Sequence, residues 1–295
     1  SNVVSTLVLT RLANAPNQTS IALGGVLASF SLMVAMAIMV TSFRVSVDDW
    51  LGHVLPADMY VSLASSGDQG GFQPEQQSAM NAMTGMSRLD YSRYLQLTMD
   101  VSRPSITLIA RPIDSADPSK IIPIIGEIMT SASLPKDTIP IWVSEAMVDL
   151  YGLVVGKQVS LPIGEAGQNF IVAGVWRDYG RQFGAVQMQL SDYQSLTGDI
   201  NVNTAALWLQ TDVSAEQMIA SLNALSFGDA VEISQSSEIR ALSLEIFDRS
   251  FAVTYLLEAV AVIIGLLGVA ASFSAQTLAR AKEFGMLRHI GMLRR

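Results

Sequence analysis

The stretch IALGGVLASFSLMVAMAIMVTSF, residues 21–43, carries no charge over 23 residues. As a helix rising 1.5 Å per residue it reaches roughly 34 Å, enough to cross the hydrocarbon core of a bilayer. A second stretch, AVAVIIGLLGVAASFSAQTLA at 259–279, is uncharged over 21 residues, with Glu258 just before it and Arg280 just after. Both exceed the length of roughly 18 residues used to recognise a membrane span. Ala35-Met36-Ala37 imitates a signal-peptide cleavage site, but apolar sequence continues through Ile38, Met39 and Val40, and 20 residues precede the run. The first stretch is therefore expected to be a retained span.

The charges around these stretches set an orientation. Only 15% of the 295 residues are charged and the net charge is −8, against about 25% charged residues in an ordinary soluble domain. Residues 45–250 hold 11 Lys and Arg against 24 Asp and Glu. Residues 279–295 hold five basic residues (Arg280, Lys282, Arg288, Arg294 and Arg295) against Glu283 alone. Basic residues beside a span favour the cytoplasmic side. The tail and the N-terminus are thus expected inside, and the long segment between the spans outside, in a multi-pass protein of the cytoplasmic (inner) membrane. An acidic chain is a poor nucleic-acid binder. The absence of cysteine excludes a disulfide scaffold, a thiolate metal site and a Cys nucleophile. His53 and His289 lie too far apart in sequence to suggest a metal centre.

The flanking segments complete the expected organisation. In residues 1–20, Val4, Leu7, Val8 and Leu12 share a helical face suited to the inner membrane interface, and Asn14-Ala15-Pro16-Asn17 ends it. Residues 44–235 read as an α+β domain. Strands are expected at 59–63, 106–111, 158–162, 169–176, 185–189, 205–210 and 231–234, and helices at 74–86, 144–151, 191–196 and 215–225. Pro74 suits the first helical position, and Ser214 suits an N-cap with Gln217 three residues on. Two β-α-β-like units, 59–111 and 205–234, flank a β-rich insert at about 139–200, with a Pro- and Ser-rich linker at 111–140. In 236–258, Ile239, Leu242, Ile246 and Val253 recur at helical spacing, and no breaker precedes the second span. A stalk helix continuous with that span is expected.

Catalytic signatures are missing. Gly152 to Lys157 has the wrong spacing for a phosphate-binding loop and is followed by Gln158 rather than Ser or Thr. There is no G-x-S-x-G or H-E-x-x-H motif, and the carboxylates follow no metal-loop spacing. Neither enzymatic activity nor a cofactor is expected. Met80, Met83 and Met86 form a stripe that reads as the core face of a helix. Gly265, Gly268 and Ser272 give the second span a flat face where another helix could pack closely.

The most specific stretch is the tail. Lys282-Glu283-Phe284-Gly285-Met286-Leu287-Arg288, followed by Ile290-Gly291-Met292, resembles the signature that follows the second helix of FtsX/MacB-type ABC transporter permeases. IWVSEAMVDLYGLVVG at 141–156 and FIVAGV at 170–175 are similar to segments of that family's outer domain. The resemblance implies a membrane α-helical protein with an inserted extracytoplasmic α+β domain, made of a porter-like βαβ lobe and a β-rich lobe. It further implies that residues 280–295 form a coupling helix, with Lys282 to Arg288 and Gly291 contacting a separate cytoplasmic ABC ATPase subunit. A second permease half, membrane lipids and a periplasmic partner are the other implied contacts. In such permeases ATP-driven motion passes up the stalks to the outer domain by mechanotransmission, to move a lipid, lipoprotein or other amphipathic substrate. The alternatives are a regulatory membrane protein that uses ATP-driven motion to activate a periplasmic partner such as a cell-wall hydrolase, and a permease that senses or resists antimicrobial peptides. Two departures stand out. Gln18-Thr19-Ser20 occupies a place where the family often has a basic residue. The chain also begins with Ser1 and ends at Arg295, where the family continues into at least two more membrane helices, so a fragment of a longer permease is expected.

Overall fold

A computed structural model describes residues 16–63, 70–114, 116–130, 133–135, 138–164, 168–279 and Met286. In chain order the elements are α1 (Pro16–Val54), β1 (Met59–Leu63), α2 (Pro74–Asn81), β2 (Met86–Leu97), β3 (Ile106–Arg111), β4 (Ile124–Ile128), β5 (Ile139–Ser144), α3 (Glu145–Tyr151), β6 (Gln158–Val159), β7 (Phe170–Trp176), β8 (Ala185–Gln189), α4 (Leu190–Thr197), β9 (Thr204–Leu209), α5 (Ala215–Asn223), β10 (Val231–Gln235) and α6 (Ser236–Ala279). The chain divides into two units, one of residues 1–45 with 245–295 and the other of residues 46–244. The expected interfacial helix at 1–20 lies almost wholly outside the described residues.

The described residues of the first unit are helical. α1 is 39 residues long and continues 11 residues beyond the expected end at 43. No Pro or Gly pair interrupts it there; it stops two residues before Pro56, because a proline disfavours the helical region for the residue ahead of it. α6 runs 44 residues without interruption, so 236–258 and 259–279 are one helix. Leu27, Phe30 and Ile38 on α1, and Leu256, Ile263, Ile264 and Leu267 on α6, are exposed. A helix at the core of a soluble domain would bury such side chains, each of which gains about 1.5–3 kcal/mol by leaving water. These helices are long and apolar enough to cross a membrane. Within this unit Phe43, Phe247 and Phe251 cluster, with ring centroids 4.6–6.2 Å apart. Beside them Arg44 Nε and Nη2 donate to the two oxygens of Asp248 at 2.9 and 3.3 Å.

The second unit is built on a single twisted sheet, ordered β10-β1-β9-β2-β3-β8-β5-β7-β4, with β6 paired to β7. β10, β1, β9 and the first half of β2 pair antiparallel throughout. Consequently β1 and β2 run parallel with β9 between them, and β9 and β10 run parallel with β1 between them. Two split β-α-β units, β1-α2-β2 and β9-α5-β10, thus interleave to form a first lobe. Met59, Val61, Leu207, Met80, Met218 and Leu222 close its core between sheet and helices. Met80 is fully buried with Met83 and Met86 packed alongside, so the methionine stripe is core.

Three expectations change here. The helix from Pro74 stops at Asn81, and Met86 begins the longest strand instead. Gly85, at φ +92°, makes the turn, and a Cβ there would lie 3.1 Å from Val213 and 3.4 Å from Met218, a conformation and a space that suit no side chain. The first unit therefore ends on β2, and β3 belongs to the second lobe, paired to β2 on one side and parallel to β8 on the other. The segment at 111–140 is also more than a linker. It carries the edge strand β4 along β7, and its Ile113 and Ile122 are buried against Trp142 and Trp176 on the back of the sheet. The front of this lobe packs Leu108, Ile141, Val143, Val172 and Val186 under Met147 of α3 and Tyr193 of α4. The chain crosses between lobes twice, within β2 at Ser92 and Arg93 and again at 198–203.

Candidate functional site

The expected ATPase-contact residues Lys282, Glu283, Phe284, Gly285, Leu287, Arg288 and Gly291 lie outside the described residues. Met286 alone is described, and it is exposed. Gly265, Gly268 and Ser272 sit on α6, and a Cβ at Gly268 would meet nothing within 4 Å. Among the described residues no cluster of three or more His, Asp or Glu could hold a metal ion.

The densest set of long-range polar contacts joins the domain to the last turns of α1 and the first turns of α6. Pro56 follows the end of α1 and places three backbone carbonyls and two amides where neighbouring groups hold them. Trp208 Nε1 donates to Pro56 O at 3.0 Å. Ala57 N donates to the Tyr60 hydroxyl at 3.3 Å. Asp58 N donates to Leu207 O at 3.0 Å, and Leu209 N donates to Asp58 Oδ2 at 2.8 Å. Ser236, the first residue of α6, donates its N–H to Asp58 O at 3.0 Å and its hydroxyl to Ala57 O. Burial pushes the Tyr60 hydroxyl up to about 12, although the Ala57 N–H and Arg111 act in the opposite sense. It therefore stays protonated at any physiological pH.

Further along the same helix segments, Arg240 Nε donates to Asp48 Oδ1 at 2.6 Å. Leu51, Leu55, Ala241 and Leu244 line an apolar groove with Gly52, Ser236, Ser237 and the stem of Arg240. Trp50 points the other way, toward the second lobe. Its Nε1 donates to Arg177 O at 2.8 Å, and its ring meets Tyr179 edge-on at 5.5 Å. Arg177 in turn pairs with Glu145 at the start of α3, at 3.3 and 3.4 Å. That carboxylate holds the Arg177 guanidinium more firmly protonated than usual. None of these contacts was marked by the sequence reading. Asp48, Trp50 and Arg240 lie in helical periodicity, but their partners are up to 192 residues away. These groups hold the end of α1 and the start of α6 against the two lobes.

No protein-family model matches the chain. In an alignment 292 positions long that takes in 95% of this chain, it is 28% identical to an uncharacterized ABC transporter permease protein of Mycobacterium tuberculosis. The match takes up 33% of that protein, so the chain spans about a third of its relative's length. Among solved structures it is similar to the periplasmic region of MacB from Actinobacillus actinomycetemcomitans, with 13% identity over 64% of this chain and 94% of that one, at a TM-score of 0.43. It is also similar to the extracellular domain of the noncanonic ABC-type transporter YknZ from Gram-positive bacteria, with 15% identity, 60% and 99% coverage and a TM-score of 0.39.

Proposed function

We propose that this chain is a section of an ABC transporter permease of the FtsX/MacB type, which couples ATP hydrolysis by a separate cytoplasmic ATPase to motion of its α+β domain outside the membrane. The observation that carries this reading is continuity. α1 and α6 each run unbroken from an apolar, exposed stretch into the domain that grips them. An α-helix transmits displacement along its axis because every turn is tied to the next by backbone hydrogen bonds. A shift of α6 reaches β10 directly and reaches the end of α1 through Ser236.

In this reading 21–43 and 259–279 are spans of the cytoplasmic (inner) membrane and 280–295 is the coupling helix. Lys282 to Arg288 and Gly291 then form the ATPase contact, and Gly265, Gly268 and Ser272 offer a close-packing face to the second permease half. The substrate is a lipid, lipoprotein or other amphipathic molecule, which the apolar groove at Leu51, Leu55, Ala241 and Leu244 suits. The chain supplies binding and motion, while its partner supplies the hydrolysis.

The tail assignment is tested with the tagged full-length protein in its own membrane. The ABC ATPase that co-purifies with the unaltered protein is expected to be lost from the triple variant Glu283→Ala, Gly285→Val, Arg288→Ala, with the amount inserted in the membrane unchanged. Undiminished co-purification would overturn the coupling-helix assignment.

A further inference from the structure

We infer that Trp50 is a positioning residue that sets the angle between the two lobes of the α+β domain, so that the last turns of α1 open or close the domain. The two chain crossings between the lobes lie side by side. Asn203 Nδ2 donates to Tyr94 O and Asn203 Oδ1 accepts from Tyr94 N, both at 2.8 Å, and Asn203 N donates to Ser92 O at 3.1 Å. Arg93 adds its ion pair with Asp199, at the second crossing, at 3.0 Å. Adjacent crossings pinned together in this way define a line about which a sheet can flex, but they do not by themselves fix the angle.

Trp50 acts away from that line. β7, which ends beside Arg177, is the fourth strand along from β2. At about 4.8 Å per strand the lever arm is roughly 19 Å. The receiving loop is firm enough to carry a load. The Asp178 side chain, 1% exposed, accepts from Gly180 N at 2.9 Å and from Arg181 Nη1 at 3.1 Å. Arg177 N donates to Pro123 O at 3.0 Å, and its side chain holds α3 through Glu145. A Cβ on Gly180 would lie 3.6 Å from the Trp50 ring, so the loop packs directly on the indole. The base of α1 is meanwhile bolted to the first lobe by the Pro56, Ala57 and Asp58 contacts. Displacing these turns of α1 relative to the second lobe must therefore either break the Trp50 contact or rotate one lobe against the other.

The chain has no cysteine, so one can be placed in each lobe, Asn223→Cys on α5 and Val154→Cys after α3, both exposed positions. Spin labels there report the inter-lobe distance in the full chain in lipid nanodiscs. The expected result is a single narrow distance population that broadens in Trp50→Phe and further in Trp50→Ala. Amide exchange at 177–184 should rise by about tenfold, the scale of one lost hydrogen bond, while β1 and β9 keep their protection. A merely structural role would instead lower the thermal midpoint and speed exchange across the whole domain, with the inter-lobe distance intact in what stays folded. That outcome, or an unchanged distance and unchanged exchange in both variants, overturns the inference. If Trp50→Ala unfolds, Trp50→Phe, which keeps the ring against Tyr179 and loses the donor alone, decides. No ATPase enters the measurement, so its failure and that of the permease reading are separate results.

Discussion

Arg93 stands inside an otherwise apolar alternation, Leu89, Tyr91, Leu95 and Leu97, and its guanidinium is the reason β2 does not read as a strand from sequence. In the folded chain its side chain is 5% exposed and bonded to Asp199 Oδ2 at 3.0 Å and to Gly70 O at 2.7 Å. The Tyr193 hydroxyl donates to the same Asp199 oxygen at 2.9 Å. Removing one partner of a buried pair leaves the other uncompensated, which costs more than the pair contributes. Arg93→Met is therefore expected to lower unfolding stability by about 3 kcal/mol in a denaturant titration. Burial raises the Asp199 carboxyl, but the Tyr193 hydroxyl, the Asn201 N–H and Arg93 outweigh it and hold the group below its ordinary range. A carboxyl that is more acidic when folded binds fewer protons in the folded state than in the unfolded state. Its contribution is thus present above the unfolded value, about 3.9, and lost as pH falls through the lower folded value. Asp199→Asn should flatten this acid limb of the stability curve below about pH 4, and an unchanged limb would count against the assignment.

At the scale of elements, local chemistry and tertiary pairing contribute in different proportions. α5 is a case where local chemistry suffices. Ser214 Oγ accepts from Gln217 N at 3.3 Å, and Gln217 Oε1 accepts from Ser214 N at 3.0 Å, the reciprocal cap expected from the sequence. Ser214→Ala is expected to cost about 1 kcal/mol, and Ser214→Asp to restore most of it, as read from thermal unfolding of the domain. A loss equal in both variants would mean the cap contributes through the hydroxyl alone. β4 is the opposite case. Its Ile-Ile-Gly-Glu-Ile run gives no clean alternation, and Pro123 stands just ahead of it, where no ladder donor is needed. Only β7 beside it makes those residues a strand. The extension of α1 to Val54 lies between the two cases: the apolar run that marks the helix ends at Phe43, so these polar, charged turns were not expected, and their role depends on Asp48 meeting Arg240 and Trp50 meeting Arg177.

For the whole molecule, the proposed pair of membrane spans requires the domain and the tail to lie on opposite sides. Ser195→Cys on the exposed face of α4 and Leu293→Cys in the tail test this in right-side-out membrane vesicles. A membrane-impermeant maleimide is expected to label Ser195→Cys at once and Leu293→Cys only after permeabilisation; labelling of both together would overturn the two-span arrangement. The two long apolar helices, the acidic middle, the basic tail and the N-cap of α5 were legible, because each depends on length, periodicity or neighbours within a few residues. The sequence by itself determined that two long apolar helices flank an acidic α+β segment. The tertiary structure alone decided that β3 joins the second lobe, that Arg93 is buried, and that Arg44 meets Asp248, Arg240 meets Asp48 and Trp50 meets Arg177, across 204, 192 and 127 residues of chain. Those pairings have no local signature: many charged and aromatic side chains compete for each partner, and the sheet order selects one by bringing distant backbone to within hydrogen-bond reach.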